Sequence, residues 1–254
     1  AWTVIIVYGM WRYVQRGSVS SLYVAAAGWG LAYSQKEVAY LLSVVMFGFL
    51  ALATAFQVMN GLRSWEGIRR SRVWHLAVMT ATLVLPFTTA MVLHLLGQDP
   101  AGGYSANAFR NLAFLQQTGP LVVLLFVLSL AAAAALWEWR RFLGAALVFY
   151  GIVILLHTNF LTYPWGIGSG IVGALGYWIE QHGVARGDQP WYYYLMLVPL
   201  YEFLPLLLTL MGGGWLLQRA WQRRGSRPRY DEESPQVDAR ALWPWFNLWW
   251  LIAI

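Results

Sequence analysis

The sequence predicts an all-α polytopic membrane protein, and three observations support that prediction. Hydrophobic residues make up 59% of the 254 residues and charged residues only 11%, whereas a typical soluble domain has about 25% charged residues. The apolar residues form continuous runs close to the ~20 residues that a spanning helix needs, unlike the short alternating segments of a β-barrel. Arginines fall in every second loop between these runs, as expected when each run crosses the membrane.

We expect about eight transmembrane segments, at residues 1–14, 19–34, 37–59, 74–97, 119–137, 142–157, 192–218 and 243–254. The first and last should be truncated, because the chain begins and ends inside an apolar run. Residues 1–254 are therefore predicted to form a single transmembrane domain that is an internal fragment of a longer protein. Pro86 and Pro199 should kink their helices, and the glycines at 212–214 should allow close helix contact or a bend.

The distribution of charge predicts the topology. Only three of the 17 basic residues, Lys36, Arg110 and Arg186, lie outside one set of alternate loops. Because cytoplasmic loops carry an excess of arginine and lysine, the arginine-rich loops, including 219–242, should face the cytoplasm. The polar stretches 34–37, 98–118 and 158–191 should then face outward from a cell (inner or plasma) membrane that the chain crosses several times. This topology accounts for the net charge of +6, so no nucleic-acid partner is expected.

Tryptophan side chains are expected to form belts at both membrane surfaces, because their amphipathic rings prefer the headgroup level. Those predicted to flank the cytoplasmic loops are Trp11, Trp65, Trp74, Trp137, Trp139, Trp215, Trp221 and Trp243. Those predicted to flank the largest outer loop are Trp165, Trp178 and Trp191.

Residues 177–205 bring histidine, arginine, aspartate, two glutamates and many aromatic residues together in an otherwise apolar sequence. The outer loop 158–191 should begin with a flexible glycine-rich stretch and contain a short amphipathic helix at 171–182. Its apolar side would carry Ile171, Leu175, Trp178 and Ile179. His157 and Asn159 stand where the preceding span reaches the outer surface, so we expect a binding site at this face.

Several polar positions at the outer face have both a structural and a functional interpretation. Asp188 precedes Gln-Pro-Trp and can cap the following helix. Glu202 lies inside a span, where a carboxylate is costly, so it either faces a polar cavity or accepts hydrogen bonds from Tyr or Trp. Lys36 and Glu37 either form a local ion pair or place Lys36 against an anionic lipid phosphate. The chain has no cysteine, which excludes disulfides and cysteine metal sites, and no metal site is predicted.

Two motifs resemble a known family. One is the small-residue segment at 28–37, GWGLAYSQKE, and the second is more specific. Its matching residues are Gly187, Gln189, Pro190, Trp191, Tyr192, Tyr193, Tyr194, Pro199, Tyr201, Glu202 and Phe203. With them the chain resembles the flippase-activity-associated family of predicted GT-C membrane glycosyltransferases, which are distantly similar to protein O-mannosyltransferases. The resemblance extends over essentially the whole chain.

The resemblance implies a GT-C-like fold with its active site on the outer face. Such enzymes transfer a sugar from a polyprenyl-phosphate donor to a hydroxyl, amide or lipid acceptor. Their catalytic acid or base normally lies in the first outer loop, which would precede Ala1 here, so the catalytic residues of this chain are unknown. The candidates are His157, His182, Asp188 and Glu202. The expected substrate-binding residues are Lys36, Glu37, Asn159, Arg186, Gln189, Trp191 and Tyr192.

The chemistry of these side chains suits such a donor. Lys36 and Arg186 can pair with its phosphate, the aromatic rings can cover a sugar or prenyl chain, and a histidine can move a proton near neutral pH. We therefore expect a glycosyltransferase (hexosyl or mannosyl transfer) whose partners are membrane lipids and a polyprenyl-phosphate sugar. The sequence leaves a divalent metal and membrane-protein partners open. The alternatives are a transporter or flippase for a lipid-linked glycan, and a non-catalytic subunit of a membrane complex.

Overall fold

The computed structural model describes residues 2–35, 38–99, 108–181, 192–193, 203–222, 235–237 and 239–253. These residues form helices and turns, and none of them belongs to a strand. Four helical segments among them are long and apolar enough to cross a membrane: Val38–Met59, Arg72–Leu95, Leu112–Leu136 and Trp139–His157. The all-helical class is therefore confirmed, and these four segments are those of a membrane protein. The count of eight spans and the GT-C-like arrangement stay predictions.

The described helices are numbered here in chain order. They are α1 (Trp2–Arg16), α2 (Val19–Gln35), α3 (Val38–Met59), α4 (Trp65–Arg70), α5 (Arg72–Val84), α6 (Thr89–Leu95), α7 (Leu112–Leu136), α8 (Trp139–His157), α9 (Gly166–Gly168), α10 (Ala174–Gln181), α11 (Phe203–Gln222) and α12 (Ala239–Ala253). A 3₁₀ turn joins α5 to α6 at Leu85–Thr88, and a π turn joins α9 to α10 at Ser169–Gly173.

Helix α2 lies between α1 and α8, and glycines let the three helices approach closely. A Cβ atom at Gly9 of α1 would lie only 2.6 Å from the backbone nitrogen of Ala25 in α2. On the other side of α2, a Cβ atom at Gly30 would lie 2.9 Å from the carbonyl oxygen of Phe149 in α8. Backbones that approach this closely gain dispersion contacts, which drive helix association in a membrane where hydrophobic burial does not.

An aromatic cluster joins α2 to the segments around it. The ring of Tyr33 lies 4.8 Å from that of Phe87 and 5.8 Å from that of Phe149. The Tyr33 hydroxyl forms a 2.7 Å hydrogen bond with the hydroxyl of Ser43 on α3. Pro86 lies in the 3₁₀ turn between α5 and α6, at the interruption that the sequence predicts, and the turn places fully buried Phe87 in the cluster.

The arginine-bearing loops meet at one end of the helical bundle, called here the arginine end. Arg72 donates a 2.9 Å hydrogen bond to the carbonyl oxygen of Val14, near the end of α1. Arg69 donates a 3.1 Å bond to the carbonyl oxygen of Trp137, between α7 and α8. These contacts place at one end the loops that the charge pattern assigns to one side of the membrane.

Several helix boundaries differ from the predicted spans. Helix α7 begins at Leu112 instead of residue 119, because the Asn111 side chain accepts a 3.0 Å bond from the Ala113 backbone N–H and caps it. Helix α8 begins at Trp139 instead of residue 142. Helix α11 continues to Gln222, and α12 begins at Ala239, so the loop predicted at 219–242 is shorter. A polar or basic side chain near a helix end can extend to the headgroups, so the helix outlasts its apolar run.

Gly212 and Gly214 do not provide the predicted close contact within the described part of the chain, whereas Gly213 between them is buried. A Cβ atom at Gly212 or Gly214 would meet no atom within 4 Å. The reason is that α11 packs chiefly against α12, and these two glycines lie on its exposed side.

We predict that Gly9→Ala lowers the free energy of unfolding by about 1–3 kcal/mol, because its methyl group would force α1 and α2 apart. Gly151→Ala on α8 is the matched control, since a Cβ atom there would meet nothing within 4 Å, and it should change stability by less than about 1 kcal/mol. Unfolding by SDS, followed by circular dichroism in detergent micelles, measures both. Equal effects of the two substitutions would contradict the packing described for α2.

Candidate functional site

His157 is the last residue of α8. Among the described residues, only one of its two ring nitrogens has a hydrogen-bond partner. Its Nδ1 atom lies 3.1 Å from the carbonyl oxygen of Val153. A carbonyl oxygen can only accept a hydrogen bond, so the partner assigns the proton to Nδ1 and leaves a lone pair on Nε2. None of the described residues hydrogen-bonds Nε2. This half-buried histidine is therefore equipped to accept a proton or to bind a polar ligand.

A left-handed turn follows His157 and presents Asn159. Asn159, Phe160 and Leu161 have φ values of 49°, 54° and 69°, a conformation that costs roughly 1–2 kcal/mol per residue outside glycine. Thr158 holds the turn in place, because its carbonyl oxygen accepts a 2.8 Å bond from the Tyr163 N–H and its hydroxyl accepts a 2.9 Å bond from the Leu161 N–H. Such strain persists only where surrounding contacts fix it, and it is concentrated at functional sites.

The glycine-rich stretch after this turn is helical, at Gly166–Gly168 and Ser169–Gly173, and its predicted flexibility stays a prediction. A Cβ atom at Gly166 would collide with the carbonyl oxygen of His157, and one at Gly170 would collide with the His157 ring. The glycines therefore allow the helical segment 166–173 to lie directly on the end of α8. Their function is close approach, which the absence of a side chain permits.

The amphipathic helix predicted at 171–182 is present as α10 together with the π turn before it. Ile171 and Leu175 are buried, and Trp178 and Ile179 pack against the core. Its apolar side therefore rests on the bundle, where α10 contacts α6. The π turn at Ser169–Gly173 interrupts the α-helical hydrogen-bond pattern where Gly170 lies against the His157 ring. Such π turns are frequent at functional sites.

Among the predicted site residues, the structure describes His157, Asn159 and Tyr192. The side chain of Tyr192 is 44% exposed. The other predicted residues lie outside the described part of the chain: His182, Asp188, Glu202, Lys36, Glu37, Arg186, Gln189 and Trp191. The described ranges contain no group of three or more His, Asp or Glu residues able to hold a metal ion.

A second polar cluster, at the arginine end, is absent from the predictions. His75 is 6% exposed, and its Nδ1 atom lies 2.8 Å from the hydroxyl of Tyr13. Its Nε2 atom lies 2.7 Å from the carbonyl oxygen of Arg69, which can only accept. Nε2 therefore carries the proton, and Tyr13 donates to Nδ1. Arg141 in turn approaches the Tyr13 hydroxyl at 3.4 Å and pairs with Glu138 at 2.8 Å.

Both ring nitrogens of His75 are used, so this histidine joins helices and has no free lone pair for chemistry. Its ring centre lies 5.6 Å from that of Trp137, which is 1% exposed. The prediction that Trp137 belongs to an interfacial belt is therefore wrong, because the indole is buried beneath the junction of α7 and α8. In the sequence, His75 lies close to Arg72, at the start of a predicted span. This proximity is the sequence signal that could have indicated the cluster.

Comparison of this chain with protein-family models, with curated proteins and with solved structures finds no match. The resemblance to GT-C glycosyltransferases therefore depends on the two sequence motifs. The geometry around His157 is independent of that resemblance, because it follows from the contacts of α8 with the segment 158–173.

We predict that His157 and His75 adopt opposite neutral tautomers. His157 should carry its proton on Nδ1 and His75 on Nε2, because each donates to a backbone carbonyl oxygen. Nitrogen-15 chemical shifts of ring-labelled histidine measure both, and His157→Gln and His75→Gln assign the signals. A proton on Nε2 of His157 would contradict the tautomer that the Val153 carbonyl oxygen assigns and would leave Nε2 without the lone pair.

Proposed function

We propose that this protein is a membrane glycosyltransferase of the inverting type that uses a polyprenyl-phosphate sugar at the outer face. The observation that carries the proposal is the lone pair on His157 Nε2, which no described residue hydrogen-bonds and which lies at the end of a helix long and apolar enough to cross a membrane. A base is needed there because the acceptor hydroxyl must lose its proton as it attacks the sugar. The resemblance of the motifs at 28–37 and 187–203 supports the same class of reaction.

The proposed step is balanced as follows. The acceptor oxygen forms a bond to the anomeric carbon, and the bond from that carbon to the donor phosphate oxygen breaks. Polyprenyl phosphate leaves with the electron pair of the broken bond, and the acceptor proton passes to His157 Nε2. Attack from the side opposite the phosphate inverts the anomeric centre.

The surroundings of His157 suit the binding of such a donor. Asn159 follows it closely in the chain, is exposed and offers an amide to sugar hydroxyls. The exposed ring of Tyr192 is proposed to offer the same donor a flat face. Lys36 and Arg186, which lie outside the described residues, are the proposed partners of the donor phosphate. The prenyl chain would extend along the apolar helices, where no polar group has to be desolvated.

A transporter for a lipid-linked glycan is the weaker candidate. A path across the membrane needs polar groups that face it. In the described spans, the buried hydroxyls of Thr54, Thr82 and Ser129 instead donate to the carbonyl oxygen four residues earlier in their own helices, at 2.6–2.8 Å. Because these hydroxyls form hydrogen bonds within their own helices, they do not line a polar path. This favours a binding site at one end of the bundle over a transport path through it.

The decisive assay measures transfer from a radiolabelled polyprenyl-phosphate hexose by the purified protein in nanodiscs. We predict that His157→Gln lowers kcat by about 10²–10⁴-fold, the usual contribution of a general base, and leaves donor binding intact. His94→Gln replaces an exposed histidine at the end of α6 and is the matched control, with transfer unchanged. Equal activity of His157→Gln and the control would remove His157 from the reaction.

We further predict that Lys36→Ala and Arg186→Ala weaken binding of the same donor, because each removes a cation from the phosphate. Their folding is checked by circular dichroism, so that a loss of binding is separated from a loss of structure. Unchanged donor affinity in both variants would contradict the phosphate role. No donor binding by the unsubstituted protein would favour the transporter or a non-catalytic subunit.

A further inference from the structure

A second feature of the arginine end lies apart from the proposed reaction. Residues 235–237, called here the strap, return to the bundle before α12 and occupy a site that we call the notch. The notch consists of the side chains of Gln57 and Ser71 and the backbone of Arg70 and Arg72. Both side chains of the notch are fully buried, and Pro235 and Val237 of the strap are buried with them.

The amide of Gln57 is satisfied at both of its polar atoms. Its Nε2 atom donates a 3.0 Å hydrogen bond to the carbonyl oxygen of Pro235, and its Oε1 atom accepts a 2.9 Å bond from the Ser71 hydroxyl. If the strap left, the Gln57 amide would lose the acceptor for its N–H group. A buried polar group without a partner is costly, so the notch is built for an occupant.

Gln236 recognises the break between α4 and α5. Helix α4 ends at Arg70 and α5 begins at Arg72, so the carbonyl of one and the N–H of the other lack helical partners. The Gln236 side chain donates to the Arg70 carbonyl oxygen at 2.9 Å and accepts from the Arg72 N–H at 3.4 Å. An amide side chain carries the one donor and one acceptor that such a pair of groups needs.

The strap leads directly into α12, which covers an apolar cavity of about 50 Å³. Trp243 and Phe246 of α12 form one side of the cavity, and Met10, Phe49 and Leu76 belong to the helices opposite. The strap is only two residues from the start of α12. Its position therefore contributes to where α12 crosses the bundle, together with the 2.8 Å hydrogen bond from Trp249 Nε1 to the Val45 carbonyl oxygen.

We propose that the notch is an intramolecular peptide-docking site whose ligand is the strap, and that this docking latches α12 over the apolar cavity. Two amide side chains, Gln57 and Gln236, give the docking its specificity. The strap is three residues long and is held by few hydrogen bonds. We therefore expect the latch to open while the helices of the bundle stay folded. Opening exposes the cavity wall formed by α1, α3 and α5.

The chain contains no cysteine, so single cysteine substitutions report on the latch without interference. Val237→Cys reports on the strap, since Val237 is 6% exposed, and Met10→Cys reports on the cavity, since Met10 is 7% exposed. Met59→Cys, at a position 73% exposed, is the freely reactive reference, and Ala145→Cys, at a fully buried position of α8, reports on general loosening. The rate of reaction with a membrane-permeant maleimide is measured for each in nanodiscs.

We expect Val237→Cys to react at least tenfold more slowly than Met59→Cys. Adding Gln236→Ala, which leaves the bundle untouched, should raise the rates at Val237→Cys and Met10→Cys at least tenfold, and Gln57→Leu should do the same. Gln15→Ala, at an exposed glutamine of the same end, should change neither rate, and Ala145→Cys should stay protected throughout.

Three results would overturn the proposal. Val237→Cys could react as fast as Met59→Cys in the otherwise unsubstituted chain, which would mean that the strap is not docked. The rates at Val237→Cys or Met10→Cys could remain unchanged after both glutamine substitutions, which would mean that the notch does not hold the strap or that the strap does not control α12. Ala145→Cys could become reactive in parallel, which would mean that the whole bundle loosens.

Discussion

The close packing of α2 against α1 and α8 is the constraint on which the rest of the structure depends. Gly9 of α1 and Gly28 of α2 remove side chains from the contact between these two helices, and Gly30 removes one from the contact of α2 with α8, so that backbone atoms of neighbouring helices meet. In a membrane, the dispersion contacts made at this close distance replace the hydrophobic driving force that water provides in a soluble protein. With α8 fixed in this way, His157 and the segment resting on it are also fixed. Two glycines of the motif at 28–37 thus have a packing role whatever reaction the protein performs.

The arginine end shows charged residues used as structural connectors as well as topological signals. Arg72 donates to the carbonyl oxygens of Val14 and Gln15, which satisfies the exposed end of α1. Gly17 follows with a φ of 67°, and a Cβ atom there would lie 2.8 Å from the Arg72 guanidinium. One arginine thus connects α1 to α5, and the break between α4 and α5 that positions it also creates the notch. The same arginines thus carry the predicted positive-inside pattern and hold helices of the bundle together.

The two histidines at opposite ends illustrate how environment separates a structural group from a reactive one. His75 lies among Tyr13, Trp137 and three arginines, and both of its nitrogens have partners. His157 donates from Nδ1 to its own helix and turns Nε2 toward a segment that only glycine allows so near. His157 is therefore proposed as the base because no described residue hydrogen-bonds its Nε2 atom. The bond from Nδ1 to the Val153 carbonyl oxygen of α8 sets the orientation of its ring.

The sequence by itself determined the helical class, the break at Pro86, the grouping of the arginine-bearing loops and the amphipathic character of α10. These are local properties, because composition, proline positions and the period of apolar residues act within a few turns of chain. Tertiary structure alone decided that Gly166 and Gly170 serve close approach, that Trp137 is buried, and that no described residue hydrogen-bonds Nε2 of His157. It also joined Gln57 to Pro235, which are 178 residues apart. Contacts at such separation depend on which helices become neighbours, and no local pattern encodes that choice.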